Sequence, residues 1–568
     1  MVFAAGVAML ATSLTALANP SVAAGPPTAR VIVGYRAGAA VASAHPWRKG
    51  APPQDVRQAA QRRADALARR AGVVLTTGRA IGHRAQVVIA SGVDSTSLAR
   101  RLAADPDVAY AVVDQRRRAL TVPSDPLFSA GPSIYLDPST GKNAGGPVVG
   151  QWYLREPTDL FRSATNAQAA WARSTGSGVV VAVLDTGVLA NHVDLEGQVL
   201  SGYDFVLDTT YSNDGDGRDA DASDPGDWVT ADEAAGRYRA ISCGQQDSSW
   251  HGTHVAGIVA AATNNGLGMA GLAHGAKVLP VRVLGKCGGY DSDIQAGMLW
   301  AAGIDQAGLP GSTTPAKVLN LSLGGGGSCT TAYQDTINEV TARGAVVVAA
   351  AGNSAGRAVG TPANCPGVIG VAGVRHAGTK VGFSDLGPEI AIAAPGGNCV
   401  NIEQGQPCLY PILTTSNSGF SAPVAGGSIY TDSFNISVGT SFATPMVAAT
   451  AALILSVRPD LSPAQVKTAL QLGARPFPTS GADNGTDPTP VTCQPPSSQE
   501  QLQCYCVTGL CGAGMLDVSA ALAAADALPL TTLADSGGGA MSWPWLLALL
   551  MATAALSARP RRRPAGRG

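Results

Sequence analysis

The most regular feature of the chain is a series of short, mainly apolar runs separated by helix-length stretches. Val179–Leu184, Val278–Leu284, Val318–Leu323, Ala345–Ala350 and Val368–Val374 lack the alternation of a half-exposed strand. Near-continuous apolarity marks strands buried on both faces, as in a parallel sheet. Between them Thr253–Ala262, Asp291–Ala302 and Thr331–Arg343 have the length of helices. Repeated alternation of strand and helix predicts an α/β fold with a doubly wound parallel sheet. In such sheets chemistry gathers at the carboxyl ends of the strands.

This rhythm starts near Gln151 and lasts to about residue 526, which bounds the main domain. Residues 29–120 read differently: short strands (Arg30–Tyr35, Gln86–Ala90, Val108–Val113) alternate with helical stretches (Gln54–Ala71, Ser95–Ala104). That order predicts a small α+β ferredoxin-like domain. It ends in Arg116-Arg117-Arg118 and Val122-Pro123, an exposed polar junction of the kind proteases cut. Residues 121–150 form a linker or N-terminal arm. Two insertions, 398–437 and 476–512, are rich in small polar residues or proline and read as surface loops tied down by cysteines.

Both ends carry targeting character. Residues 2–18 are short and apolar, with small-residue cleavage points after Ala18 or Ala24, so 1–24 reads as a signal peptide lacking a basic start. After Ser536-Gly537-Gly538-Gly539 an apolar run reaches Leu556 and is followed by five arginines, the form of a membrane-spanning helix with a cytoplasmic basic end. The balance of 39 Lys and Arg against 40 Asp and Glu leaves no field to draw a nucleic acid. Ten cysteines in an exported chain read as disulfides; a zinc site from Cys504, Cys506 and Cys511 is the weaker reading, since no histidine lies nearby.

Four places carry candidate chemistry. Asp185-Thr186-Gly187 ends the first buried run, where a carboxylate can accept from an imidazole N–H. His251-Gly252-Thr253-His254 opens a small-residue helix, with His254 one turn along and packed rather than reactive; no acidic third ligand follows to make the pair a metal site. Gly352-Asn353 places an amide donor beyond another buried run. Gly439-Thr440-Ser441-Phe442-Ala443-Thr444-Pro445 puts a serine at the start of an apolar helix, where free N–H groups favour an oxyanion.

Taken in order, these motifs resemble those of the subtilisin-like serine proteases, and the order Asp, His, Ser is theirs. The resemblance runs from about Gln151 to Ala524 and implies a subtilisin-like fold and a serine endopeptidase acting on protein or peptide substrates without a catalytic cofactor. It implies that Ser441 attacks, His251 carries the proton, Asp185 orients the imidazole, and Asn353 with the Ser441 N–H binds the oxyanion. It further implies that Ser322, Leu323, Gly324, Ala351 and Gly352 wall the pocket for the residue before the cleaved bond, with Gly360 near its floor. A glycine floor favours bulky apolar or broadly tolerated side chains, a preference Arg357 and Asp385 nearby could alter.

The 29–120 domain resembles subtilisin propeptides, which chaperone folding and inhibit until cleaved; processing would fall between Ala119 and Val122. The tail resembles bacterial Gly-Gly sorting signals cut by a rhomboid-like protease, a plain membrane anchor being the rival. Secretion or display at a bacterial cell surface follows from either. Asp214, Asp216, Asp219 and Asp221 sit in an insertion resembling a calcium loop, although Asp219 stands where an EF-hand needs glycine. A structural calcium site and a solvated acidic loop both fit it. Cys329 and Cys365 flank the pocket and are expected to pair; Cys243 with Cys287 and Cys399 with Cys408 are further pairings, and the last four cysteines have no legible partners.

Overall fold

The computed structural model describes residues 28–47, 50–114, 122–130, 149–398, 408–432, 438–482 and 490–529. The signal segment, the 119–121 junction, most of the linker and the 536–568 tail lie outside them. The chain divides into two compact units, Met1–Arg118 and Ala119–Gly568.

The first unit contains β1 (Thr28–Tyr35), α1 (Pro53–Ala71), β2 (Thr76–Ile81), β3 (Ala85–Ser91), α2 (Ser95–Ala103) and β4 (Val108–Val113). Its four strands pair antiparallel in the order β2-β3-β1-β4. With α1 and α2 this is the β-α-β-β-α-β order of a ferredoxin-like domain. Pro53 opens α1 and Gly72, in the left-handed conformation, ends it. Ala64, Leu67, Leu98 and Leu102 of the helices pack with Val31, Val33 and Val88 of the sheet. Tyr110 and Val112 of β4 stay half exposed.

The second unit is built on seven strands: β5 (Val180–Asp185), β6 (Tyr203–Asp204), β7 (Lys277–Arg282), β8 (Val318–Leu321), β9 (Val346–Ala350), β10 (Ile369–Val374) and β11 (Ile390–Pro395). Every pairing is parallel, in the order β11-β10-β9-β8-β5-β7-β6. Successive residues face two different cores, which is why the runs are apolar throughout. Val181 and Val183 join the core of α3 (His251–Ala260) and α6 (Thr440–Val457). Ala182 and Leu184 join that of α4 (Asp291–Ala301) and α5 (Thr331–Ala342). Helix α6 is apolar and long enough to cross a membrane, yet 83% of it is buried as a core helix.

Strand order reverses at β5, whose neighbours are β7 and β8. That is the switch point at which doubly wound sheets open a crevice. One insertion departs from expectation. Residues 410–417 are largely buried rather than a surface loop, and β12 (Thr415–Asn417) pairs with β13 (Ser428–Tyr430). The cause is helix α3: Thr414 Oγ1 donates to the His254 carbonyl (2.5 Å) and Thr415 Oγ1 to that of Thr253 (2.7 Å). Gly257 permits the approach, since a Cβ there would stand 2.2 Å from Thr415 Oγ1.

Candidate active site

Asp185 is the last residue of β5 and fully buried. Its Oδ1 accepts from His251 Nδ1 (2.7 Å) and from the Thr186 N–H (2.8 Å). Its Oδ2 is buried without a hydrogen-bond partner among the described residues. His251 opens α3 hard against this turn, because a Cβ on Gly252 would lie 2.0 Å from the Gly187 carbonyl oxygen. Trp250, in the left-handed conformation before the helix, anchors the entry by donating Nε1 to Gly419 O at 2.8 Å. Burial opposes protonation of His251, but the Asp185 carboxylate and its hydrogen bond outweigh it, aided by Asp227 and Asp224, so the imidazole pKa lies above 6.5. His254 is buried, bonded through Nε2 to Ser416 Oγ (3.0 Å), and pushed down to about 3 by burial and by His251.

Ser441 is the second residue of α6, where its N–H has no helical acceptor. Phe442 beside it lays its ring 5.6 Å from the His251 ring. The Ser441 hydroxyl donates to the Ser322 carbonyl at 3.0 Å rather than to the imidazole. The two serines are joined again by Ser322 Oγ, which donates to the Ser441 carbonyl at 2.7 Å. The reason is Pro445, four residues on inside the helix. Proline has no N–H for that carbonyl, and its ring pushes the carbonyl off the helix axis. Asn353 Oδ1 accepts from the Thr440 N–H (3.0 Å) and Oγ1 (2.9 Å). A backbone N–H can only donate, so the amide oxygen faces Thr440 and Nδ2 is the end left open.

The remaining expected residues divide. Ser322, Leu323 and Gly324 line a cleft of about 450 Å³ that also takes in His251, Asp227 and Asp291. Ala351, Gly352 and Gly360 are not among the residues lining it; Ala351 is fully buried, and a Cβ on Gly360 would stand 2.1 Å from the Gly325 carbonyl oxygen. Cys329 is bonded to Cys365 and Cys243 to Cys287. Cys408 is bonded, but Cys399 lies outside the described residues. The pairs the sequence left open are Cys493–Cys504 and Cys506–Cys511, which removes the thiolates a zinc site would need. Asp214, Asp216, Asp219 and Asp221 line one cavity of about 790 Å³. Asp214 is ion-paired with Arg282, however, and among the described residues no three carboxylates converge as ion ligands.

Sequence reasoning passed over several residues that hold this site. Arg282, buried at the end of β7, pairs with Asp204 and Asp214 and donates Nε to the Thr186 carbonyl at 3.2 Å. Thr186 Oγ1 donates to buried Asp224 (2.6 Å) and accepts from the Gly252 N–H (3.0 Å), so one hydroxyl ties the residue after Asp185 to the residue after His251. Burial pushes Asp224 up to about 7. The only signal for Arg282 was a lone charge in an apolar run; for Asp224 there was none, since it lies in a loop of many aspartates.

Fold and site together define a class: a doubly wound α/β protein with a carboxylate–imidazole pair and a helix-start serine beside its switch point. A profile of the Subtilase family matches residues 176–491, and the chain belongs to that family. It is 42% identical over 76% of its length to the extracellular protease of Xanthomonas campestris pv. campestris, and 39% identical over 67% to the extracellular basic protease of Dichelobacter nodosus. The matches span 62% and 56% of those two relatives, less than two thirds of either. Among solved structures, one described as proteases from Pseudoalteromonas arctica is 41% identical and superposes with a TM-score of 0.55, covering 71% of this chain and all of that one.

Proposed function

We propose that this chain is a secreted serine endopeptidase made as a precursor, with Asp185, His251 and Ser441 as its catalytic residues. The observation that carries the reading is the 2.7 Å bond from His251 Nδ1 to a buried carboxylate. With Nδ1 carrying the proton, Nε2 is the basic nitrogen. Rotation about the Ser441 Cα–Cβ bond exchanges the Ser322 carbonyl for that nitrogen. His251 then takes the hydroxyl proton as Oγ bonds to the substrate carbonyl carbon, and returns it to the leaving amine. Asp185 holds the tautomer and stabilises the imidazolium. Asn353 Nδ2 and the Ser441 N–H receive the negative oxygen. Water repeats the sequence on the acyl-enzyme, releasing the acid.

The first unit acts as chaperone and inhibitor and is removed by cleavage between Ala119 and Val122. Its ferredoxin-like fold and half-exposed Tyr110 and Val112 support that role. Disulfides and relatives named extracellular proteases support export. The C-terminal segment serves for sorting or anchoring, a reading that stands on sequence alone. The test is labelling of the processed protein with a fluorophosphonate probe. Wild type is expected to label and Ser441→Ala to remain unlabelled; label in the variant, or none in processed wild type, overturns the proposal.

A further inference from the structure

Asn353 is exposed in the loop Gly352–Arg357, and an exposed loop is a poor place from which to aim a donor. Thr440 grips its amide oxygen from the front. From behind, the loop rests on Asp385, which is only 3% exposed. Asp385 Oδ1 accepts from the N–H groups of Ser354 and Arg357, both at 3.0 Å. The Asp385 N–H donates to the Gly352 carbonyl, also at 3.0 Å. These three bonds bracket residue 353 on both sides. Gly352 makes room for the carboxylate: its φ is +115°, and a Cβ there would stand 2.3 Å from Asp385 Oδ2.

The carboxylate does not line the substrate cleft, nor does it pair with its neighbour, since Arg357 Nη1 donates to the Ser497 carbonyl at 3.1 Å. What stands near it is Lys380, fully buried. Lys380 Nζ donates to the carbonyls of Val381 (3.0 Å), Gly382 (3.0 Å) and Ser384 (2.9 Å), closing the turn that delivers Asp385. Ser384 Oγ accepts from the Gly373 N–H at 3.0 Å, which fixes the turn to β10. The turn is thus tied to β10 through Ser384 and closed by Lys380, and its next residue, Asp385, holds the backbone on both sides of Asn353.

We propose that Asp385, delivered by the Lys380 turn, is the positioning residue for the oxyanion donor Asn353. This rests on the assignment of Asn353 above. Loss of the carboxylate frees the two N–H groups behind the donor, and a donor misplaced by a fraction of an ångström stabilises the oxyanion less while substrate binding is unaffected.

The test compares Asp385→Ala, Asp385→Asn, Asn353→Ala and Asp385→Ala/Asn353→Ala in the processed enzyme. kcat and KM on a peptide amide are taken per active site titrated with a fluorophosphonate. Asp385→Ala is expected to lower kcat roughly tenfold or more, a part of the ~10²–10³ lost with the donor itself, with KM within about threefold. Asp385→Asn keeps one acceptor oxygen and is expected to recover most of that loss. In the Asn353→Ala background, Asp385→Ala is expected to cost less than about twofold, because the donor it aims is gone. Full kcat in Asp385→Ala, or the same loss with and without Asn353, overturns the inference and leaves a structural role. If the alanine variant does not fold, Asp385→Ser takes its place under the same two criteria. Unchanged kcat in Asn353→Ala overturns the oxyanion assignment and this inference with it; loss there beside full activity in Asp385→Ala overturns this inference alone.

Discussion

Ser322→Ala probes how the serine is held against the sheet. Ser322 is 3% exposed, and its Oγ donates to the Ser441 carbonyl (2.7 Å) while accepting from Asn320 Nδ2 (2.9 Å). Deleting the hydroxyl leaves both groups without that partner, and neither has an easy substitute. The carbonyl cannot turn to its helix because residue 445 is proline. Asn320 is fully buried, and its Oδ1 already lacks a partner among the described residues. A buried polar group left unpaired costs about 1–3 kcal/mol, so the pair should cost roughly 2–6 kcal/mol. Pro445→Ala supplies the missing N–H and should lower the cost of Ser322→Ala by about 1 kcal/mol, one restored hydrogen bond. The measurement is a denaturant titration of the four proteins, each blocked at Ser441 by a fluorophosphonate so that none digests itself. Equal costs of Ser322→Ala in the two backgrounds would show that Pro445 is not the reason the carbonyl turns to Ser322.

Further outcomes follow from the structure. The His251 pKa is raised above 6.5, so the neutral base appears only above that value: kcat/KM should rise with pH through a midpoint higher than 6.5. The same shift favours the folded state at low pH and is lost as pH rises through the folded pKa. Asp185→Asn removes the opposing charge and should move the midpoint down and lower kcat about 10⁴-fold; an unmoved midpoint in a pH–rate series would refute the pairing. Replacing Cys329 and Cys365 by serine opens a 36-residue closure, for which the chain-entropy ceiling is about 4 kcal/mol. A loss of about 2–4 kcal/mol with raised KM is expected, and unchanged unfolding would count against the brace.

Much of the fold was legible because buried parallel strands have little choice of composition. The five apolar runs became β5, β7, β8, β9 and β10 with ends shifted by a few residues. The two-residue β6 was too short to show a pattern, and β11 (Ile390–Pro395) stands close behind β10 with no helix between them to mark it off. Residues 410–417 misled for a different reason. Threonine and serine read as loop, yet here their hydroxyls cap carbonyls of the helix that carries His251. Polar side chains bury well when each finds a partner, and the partner is distant in sequence.

The linear chain determined which residues stand at strand ends and helix starts, since Asp185, His251, Asn353 and Ser441 each follow or open an element whose periodicity is local. Hydrophobic period and turn chemistry act over a few residues, which is why such positions can be read locally. What only the tertiary structure decided is how those groups are held. Arg282 beneath the Asp185 turn, Thr186 between the turn and helix α3, Ser322 in place of the proline's missing N–H, and Asp385 behind Asn353 all act across tens of residues or more. A hydrogen bond depends on fractions of an ångström in space and is indifferent to separation along the chain, so no local pattern announces it.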